Sequence, residues 1–179
     1  AYQFNNTEHA ANLFGLKEFG NIYSRLGNPT VGALEARLTA LEEGAMCVAL
    51  SSGTSAVMYS LINIMSQGDN FVTASQLYGG TYTMFDNILP EYGINSKKVD
   101  ITDLEAVEAA IDEKTRAIYC ETITNPGLVV ADISALADIA HSKGIPLIVD
   151  ATFTTSAILK PFEYGADIVV YSLTKWMSG

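Results

Sequence analysis

The feature that most constrains this chain is an alternation of short apolar runs with helix-like segments, joined by brief connections. Apolar runs fall at Met46–Leu50, Phe71–Ala74, Arg116–Cys120, Leu147–Val149 and Ile168–Tyr171. Val31, Leu34, Leu38 and Leu41 share one helical face between Pro29-Thr30 and a stopping Gly44. Thr54–Ser66 has helical character and ends at Gly68-Asp69, and the loop through Tyr78-Gly79-Gly80 leads to a further helix ending near Pro90–Gly93. Thr102-x-x-Glu105 reads as a capping box opening Leu104–Ile111, and Asp132 caps a helix running to Lys143-Gly144. This rhythm predicts an α/β fold with a mostly parallel sheet flanked by helices. Right-handed crossovers then bring every strand's carboxyl end to one edge.

Composition narrows the partners. The 179 residues suit one main domain, and 49% hydrophobic against 17% charged residues is a globular balance. A net charge of −10, with Lys97-Lys98 as the longest basic run, argues against nucleic acid. Cys47 and Cys120 each sit in an apolar run and read as buried thiols, not as a disulfide or a metal site. His9 and His141 lack ligand spacing, so no metal is expected. No apolar stretch reaches a membrane span and no signal-like segment opens the chain, which predicts a soluble cytoplasmic protein. A start without Met and a stop at Gly179, directly after a motif, give the expectation of a processed or truncated piece.

The residues just past the apolar runs carry the chemistry. They are Ser51-Ser52-Gly53-Thr54, Ser75–Tyr78, Glu121–Asn125, Asp150 and Ser172–Lys175. Open α/β sheets bind ligands outside these strand ends. A lysine there is most often a surface cation, but Tyr171-Ser172-Leu173-Thr174-Lys175 sets an amine beside two hydroxyls as the chain leaves a buried strand. A desolvated amine there can form a Schiff base, and the hydroxyls can donate to a phosphate. Asp150 reads either as a cap or as the acid that keeps a heteroaromatic nitrogen protonated. Gly53-Thr54 offers backbone N–H groups at a helix start, without a recognised phosphate-loop pattern. Tyr78 reads as packing or as a stacking ring. Amine, acid, aromatic face and phosphate cup together point to pyridoxal 5'-phosphate. Because the net charge of −10 repels a phosphate, a local cation is expected, with Arg25 in Tyr23–Thr30 as the candidate.

These residues resemble the Cys/Met-metabolism pyridoxal-phosphate enzymes of fold type I over essentially the whole chain. The resemblance rests on Tyr23-Ser24-Arg25 with Asn28-Pro29-Thr30, Ser52-Gly53, Tyr78-Gly79-Gly80-Thr81, Asn125-Pro126, Val149-Asp150 and Ser172-Leu173-Thr174-Lys175, in that order. It implies that 31–179 is the large cofactor-binding domain of such a transferase, and that 1–30 contacts a neighbouring subunit. Lys175 would be the Schiff-base lysine and, with Tyr78, catalytic. Asp150 would partner the pyridine nitrogen, Tyr78 would stack on the ring, and Asn125 would lie near its phenolic oxygen. Gly53, Thr54, Ser172 and Thr174 would bind the phosphate. Tyr23 and Arg25 would reach the phosphate of a neighbouring subunit, implying a homodimer or homotetramer with shared sites.

Within that family, 12–23 and Glu121–Pro126 are similar to the O-acetylhomoserine sulfhydrylase branch, while Gly80 stands where methionine γ-lyases typically have cysteine. The implied reaction is γ-replacement on O-acetyl-L-homoserine by sulfide or a thiol, giving homocysteine or methionine plus acetate. The alternatives are a cystathionine or methionine γ-lyase or γ-synthase, and, from another class, a non-catalytic fold or assembly module left by truncation. Ala151 departs from the family's usual Asn, and Thr54-Ser55 from its usual Met or Gln followed by Ala. Family members are roughly twice as long, so the C-terminal domain with the arginine for the substrate carboxylate is expected to be absent.

Overall fold

The computed structural model describes residues 2–177, in two compact units that divide between Ala49 and Leu50. In the first unit, helix α1 (Thr7–Phe14) opens at Asn6, whose side chain accepts the His9 amide N–H at 2.8 Å. Helix α2 (Pro29–Glu42) starts at Asn28, which accepts the Thr30 and Val31 amides, with Pro29 where its missing N–H is harmless. The apolar stripe on α2 is present but uncovered: Val31, Leu34 and Leu41 stay 39%, 42% and 40% exposed.

The expected strand at Met46–Leu50 does not form. Residues 46–50 are irregular, and Met46 and Val48 are largely exposed. An apolar run becomes a strand only when a neighbour takes up its backbone groups, and here the Ala49 N–H goes instead to Glu35 Oε1 at 2.8 Å. Cys47 is accordingly half-buried and not a core thiol.

The second unit is built on a five-stranded, wholly parallel sheet in the order β2-β1-β3-β4-β5. The strands are β1 (Asn70–Ala74), β2 (Asn95–Val99), β3 (Thr115–Glu121), β4 (Leu147–Asp150) and β5 (Ile168–Val170). β1, β3 and most of β4 are buried on both faces, which is why they appear as continuous apolar runs. β2 escaped the sequence reading because it is an edge strand of sequence Asn-Ser-Lys-Lys-Val. Its lysines are held locally: Lys97 pairs with Asp112, while Lys98 pairs with Asp86 and lies over the Tyr82 ring.

Helix α3 (Gly53–Ile62) precedes the sheet, α4 (Gly79–Thr83) follows β1, α5 (Leu104–Ala110) follows β2, α6 (Ile133–Ser142) follows β3 and α7 (Thr155–Ile158) follows β4. Asp103, not Thr102, caps α5: its carboxylate accepts the Ala106 N–H at 3.0 Å, while the Thr102 hydroxyl turns back to Asp100. The β1-to-β2 connection travels across the sheet in the opposite direction to those that follow. With one handedness throughout, it covers one face, and α5, α6 and α7 cover the other. The rings of Phe71, Phe85 and Tyr119 meet edge to face at 4.7 and 5.1 Å, fixing the segment after α4 against β1 and β3. The neighbours β1 and β3 thus flank the point where the connections reverse. No helix among the described residues is long and apolar enough to cross a membrane.

Candidate active site

The carboxyl edge of the sheet gathers most of the predicted residues. Tyr78 lies on the loop after β1 and Asn125 on the loop after β3, Asp150 ends β4, and Ser172–Lys175 follow β5. The loops of Tyr78 and Asn125 flank the reversal point between β1 and β3, where an open α/β sheet splays to leave a crevice, and Asp150 and Ser172–Lys175 follow on the next two strands of the same edge. The remaining expected strand end is supplied by the start of α3, although no strand precedes it.

Gly53 and Ser172 are pressed together there. A Cβ built on Gly53 would lie 2.6 Å from the Ser172 Cβ and 2.9 Å from its Cα, so only glycine admits this approach. Ser52 caps α3 by accepting the Ser55 N–H at 3.0 Å. Gly53 and Thr54 occupy the first two positions of the helix, where amides lack intrahelical partners and face an anion readily. Thr174 and Lys175 are exposed, and the Lys175 amide closes a turn onto the Ser172 carbonyl at 3.2 Å.

Asp150 is tied to that turn through Thr152, a residue the sequence reading passed over. Asp150 Oδ1 accepts the Thr152 amide N–H at 2.9 Å, and Thr152 Oγ1 accepts the Ser172 N–H at 2.8 Å. The other carboxylate oxygen receives the Tyr119 hydroxyl at 3.4 Å. Tyr119 is wholly buried. Burial raises the Asp150 pKa, against the opposing pull of these hydrogen bonds. Such a carboxylate gains from a cationic partner. Ala151, fully buried, donates its N–H to the Val170 carbonyl, so orientation of Asp150 falls to Thr152 and Tyr119.

Tyr78 presents a ring that is 48% exposed. A Cβ on Gly80 would come within 2.7 Å of the Tyr78 Cε1, so a larger residue there would displace the ring. Asn125 precedes Pro126 through a cis peptide bond. Tyr23 and Arg25 belong to the first unit, where the guanidinium donates to the Tyr23 hydroxyl at 2.6 Å and lies 5.0 Å from its ring centre. Cys120 points into the core of the second unit, and burial pushes its thiol up to about 12, which leaves it inert at neutral pH.

The edge therefore offers a lysine, a desolvated carboxylate, an exposed aromatic face and a helix start drawn tightly against a serine. Pyridoxal phosphate has an aldehyde, a basic ring nitrogen, a flat ring and a phosphate, and the residues present fit it. Lys175 would hold the aldehyde, Asp150 the ring nitrogen, Tyr78 the ring face, and Gly53, Thr54, Ser172 and Thr174 the phosphate.

Comparison with known proteins agrees with this chemistry. The model of the family described as Cys/Met metabolism PLP-dependent enzyme matches residues 1–179. A protein named sulfhydrylase FUB7 from Fusarium oxysporum is 51% identical over 180 aligned residues, covering 100% of this chain and 42% of the relative. The O-acetyl-L-homoserine sulfhydrylase of Leptospira meyeri is 48% identical, again over 100% of this chain and 40% of the relative. A Campylobacter jejuni structure described as an O-acetylhomoserine (thiol)-lyase, carrying N'-pyridoxyl-lysine-5'-monophosphate, superposes with a TM-score of 0.93 at 43% identity, covering 99% of this chain and 44% of that one. The chain thus spans well under half the length of these relatives. A parallel sheet whose carboxyl edge suits pyridoxal phosphate, matched along its whole length by that family's model, belongs to the fold type I Cys/Met-metabolism PLP-dependent enzymes.

Proposed function

We propose that the complete protein carries out γ-replacement on O-acetyl-L-homoserine, with sulfide or a thiol displacing acetate to give homocysteine or methionine. The observation that carries this reading is the 48% identity, over the whole chain, to the Leptospira meyeri O-acetyl-L-homoserine sulfhydrylase. When bound, pyridoxal phosphate supplies an electron sink that acidifies the amino acid beside its Cα and allows the group on Cγ to leave. The chain's residues do the rest. Lys175 Nζ anchors the cofactor and moves protons at Cα and Cβ of the substrate. Asp150, half-buried and oriented by Thr152 and Tyr119, holds the proton on the ring nitrogen. Tyr78 covers the ring face, and Asn125 faces the ring's phenolic oxygen. Gly53, Thr54, Ser172 and Thr174 bind the phosphate.

Tyr23 and Arg25 complete the phosphate site of a neighbouring subunit, which makes a homodimer or homotetramer the active form. The uncovered apolar groups of the first unit support this, with Phe14, Leu16 and Phe19 exposed alongside Val31, Leu34 and Leu41. Cys47 and Cys120 are free thiols, as suits the reducing cytoplasm where such an enzyme would work.

The test is product analysis of the purified complete protein loaded with pyridoxal phosphate. Homocysteine released from O-acetyl-L-homoserine and sulfide is the expected product. Faster formation of 2-oxobutyrate from cystathionine would replace the reading with a γ-lyase.

A further inference from the structure

Glu121 ends β3 at the reversal point, only 5% exposed, and no role in the chemistry above falls to it. Both of its carboxylate oxygens are used. Oε1 accepts the Tyr78 backbone N–H at 2.7 Å, and Oε2 accepts the Asn125 backbone N–H at 3.1 Å. These amides belong to two different loops, one after β1 and one after β3. They carry the two side chains assigned to the face and the phenolic edge of the cofactor ring.

The loop after β3 closes on itself through Thr124, whose N–H meets the Val129 carbonyl at 2.9 Å, but the Asn125 and Tyr78 amides turn to Glu121. Tyr78 opens α4 with no side-chain cap, so Glu121 takes up an amide that the short helix leaves over. Asn125 is followed at once by Pro126, which has no N–H to share the load. Burial without a basic partner is an expensive way to keep a carboxylate. An apolar residue at the end of a fully buried strand would pack without that cost. The carboxylate is nonetheless the one side-chain type with two acceptor oxygens, so that each can take an N–H from a different loop.

We propose that Glu121 is a positioning residue for the cofactor ring: it clamps the loop amides of Tyr78 and Asn125 across the β1–β3 crevice and so sets where the stacking ring and the asparagine amide meet the cofactor. This rests on the ring contacts assigned above, but it does not depend on which acyl-homoserine or thiol the enzyme uses. The raised pKa of Glu121, pushed up to about 7 by burial, fits a carboxylate kept for geometry in an unfavourable place.

The experiment compares the complete protein with its Glu121→Gln and Glu121→Asp variants, without substrate. Gln keeps the size but turns an NH2 group toward one of the two N–H donors. Asp keeps the charge but is one methylene too short to reach both. Unfolding midpoints are measured first. Pyridoxal phosphate affinity is then titrated on the cofactor-free proteins, and the visible circular dichroism of the loaded forms reports how the ring is seated. The expected result is folded variants whose cofactor affinity falls roughly tenfold or more, with an altered visible signal in Gln and a smaller change in Asp. Variants that fold and match the parent in both affinity and visible signal overturn the proposal. So does failure of both variants to fold, because Glu121 would then serve the scaffold. A parent protein that binds no pyridoxal phosphate overturns the site assignment itself.

Discussion

Glu121 and Asp150 are register partners at the carboxyl ends of the adjacent parallel strands β3 and β4, so their side chains stand on the same face of the sheet. Burial raises the cost of ionising both acids, and the Asp150 charge adds to the upward shift of Glu121. Their hydrogen bonds divide the work. Glu121 reaches away from β4 to the loop amides of Tyr78 and Asn125, whereas Asp150 is fixed by Thr152 and Tyr119. Asp150 therefore remains the acid available to a ring nitrogen.

Asp150→Asn tests that division. The amide is nearly isosteric and its oxygen can still accept the Thr152 N–H, so the melting temperature should change little. The charge that holds a proton on the ring nitrogen is lost, and kcat should fall by about one to two powers of ten. An unchanged kcat with normal folding would leave Asp150 as a structural cap.

Gly53→Ala addresses the phosphate cup. The added methyl would meet the Ser172 backbone and side chain at under 3 Å, a contact that must be relieved by moving α3 or the turn leading to Lys175. Overpacking of this kind costs about 1–3 kcal/mol, and cofactor affinity should fall with it. Denaturant unfolding and cofactor titration measure both effects. Ser172→Gly in the same chain removes one side of the clash and should recover part of the loss in stability. Wild-type stability in the Ala variant would mean that the close approach is not maintained in solution.

The pH dependence of the cofactor-free protein follows from Glu121. Its pKa stands at about 7 against an ordinary value of 4.5, so between these values the folded state keeps a proton that the unfolded chain gives up. Its contribution is fully present below pH 4.5 and is lost as pH rises through 7. The loss amounts to up to about 3 kcal/mol. Asp150, also raised, acts in the same direction. Unfolding free energies across that range should decline more steeply for the parent than for Glu121→Gln. Parallel curves would mean that Glu121 ionises as it does in solvent.

How much of this was legible depends on whether a residue's role is local. β1, β3 and β4 carry their burial in their own composition, and Pro29-Thr30 and Asp132 announce the helices they open. β2 was missed and residues 46–50 were misread for one reason: pairing, not apolarity, makes a strand. The lysine-rich segment had a neighbour, and the apolar run had none among the described residues. The lysine, the aspartate and the tyrosine could be named because each lies just past a buried run. Thr152 and Tyr119 could not, and Glu121 stood there only as the start of a strand-end stretch with no role, since their partners come from other elements. A threonine after a strand, a tyrosine within one and a glutamate at its end each have an ordinary reading until the crossovers bring Ser172, Asp150, Tyr78 and Asn125 beside them.

Arg25 decides whether the site is shared. Within the chain its guanidinium rests on Tyr23, donating to the phenol and lying over the ring, so the two side chains present themselves as one unit. A planar guanidinium can give a phosphate two parallel hydrogen bonds, which a lysine cannot reproduce. Arg25→Ala should weaken cofactor binding by about 1.5–3 kcal/mol, the range for losing a hydrogen bond to a charged group. Lys175→Ala should bind the cofactor without a covalent link, so that borohydride no longer fixes it to the protein, and turnover should vanish. If Arg25 serves a neighbouring subunit, a hybrid dimer of the two variants contains one site with both residues intact and one with neither. Mixing the variants under conditions where subunits exchange should then restore part of the activity, and differently tagged subunits recovered together prove that exchange took place. Exchanged hybrids with no recovered activity would assign Arg25 to its own subunit's site or to none.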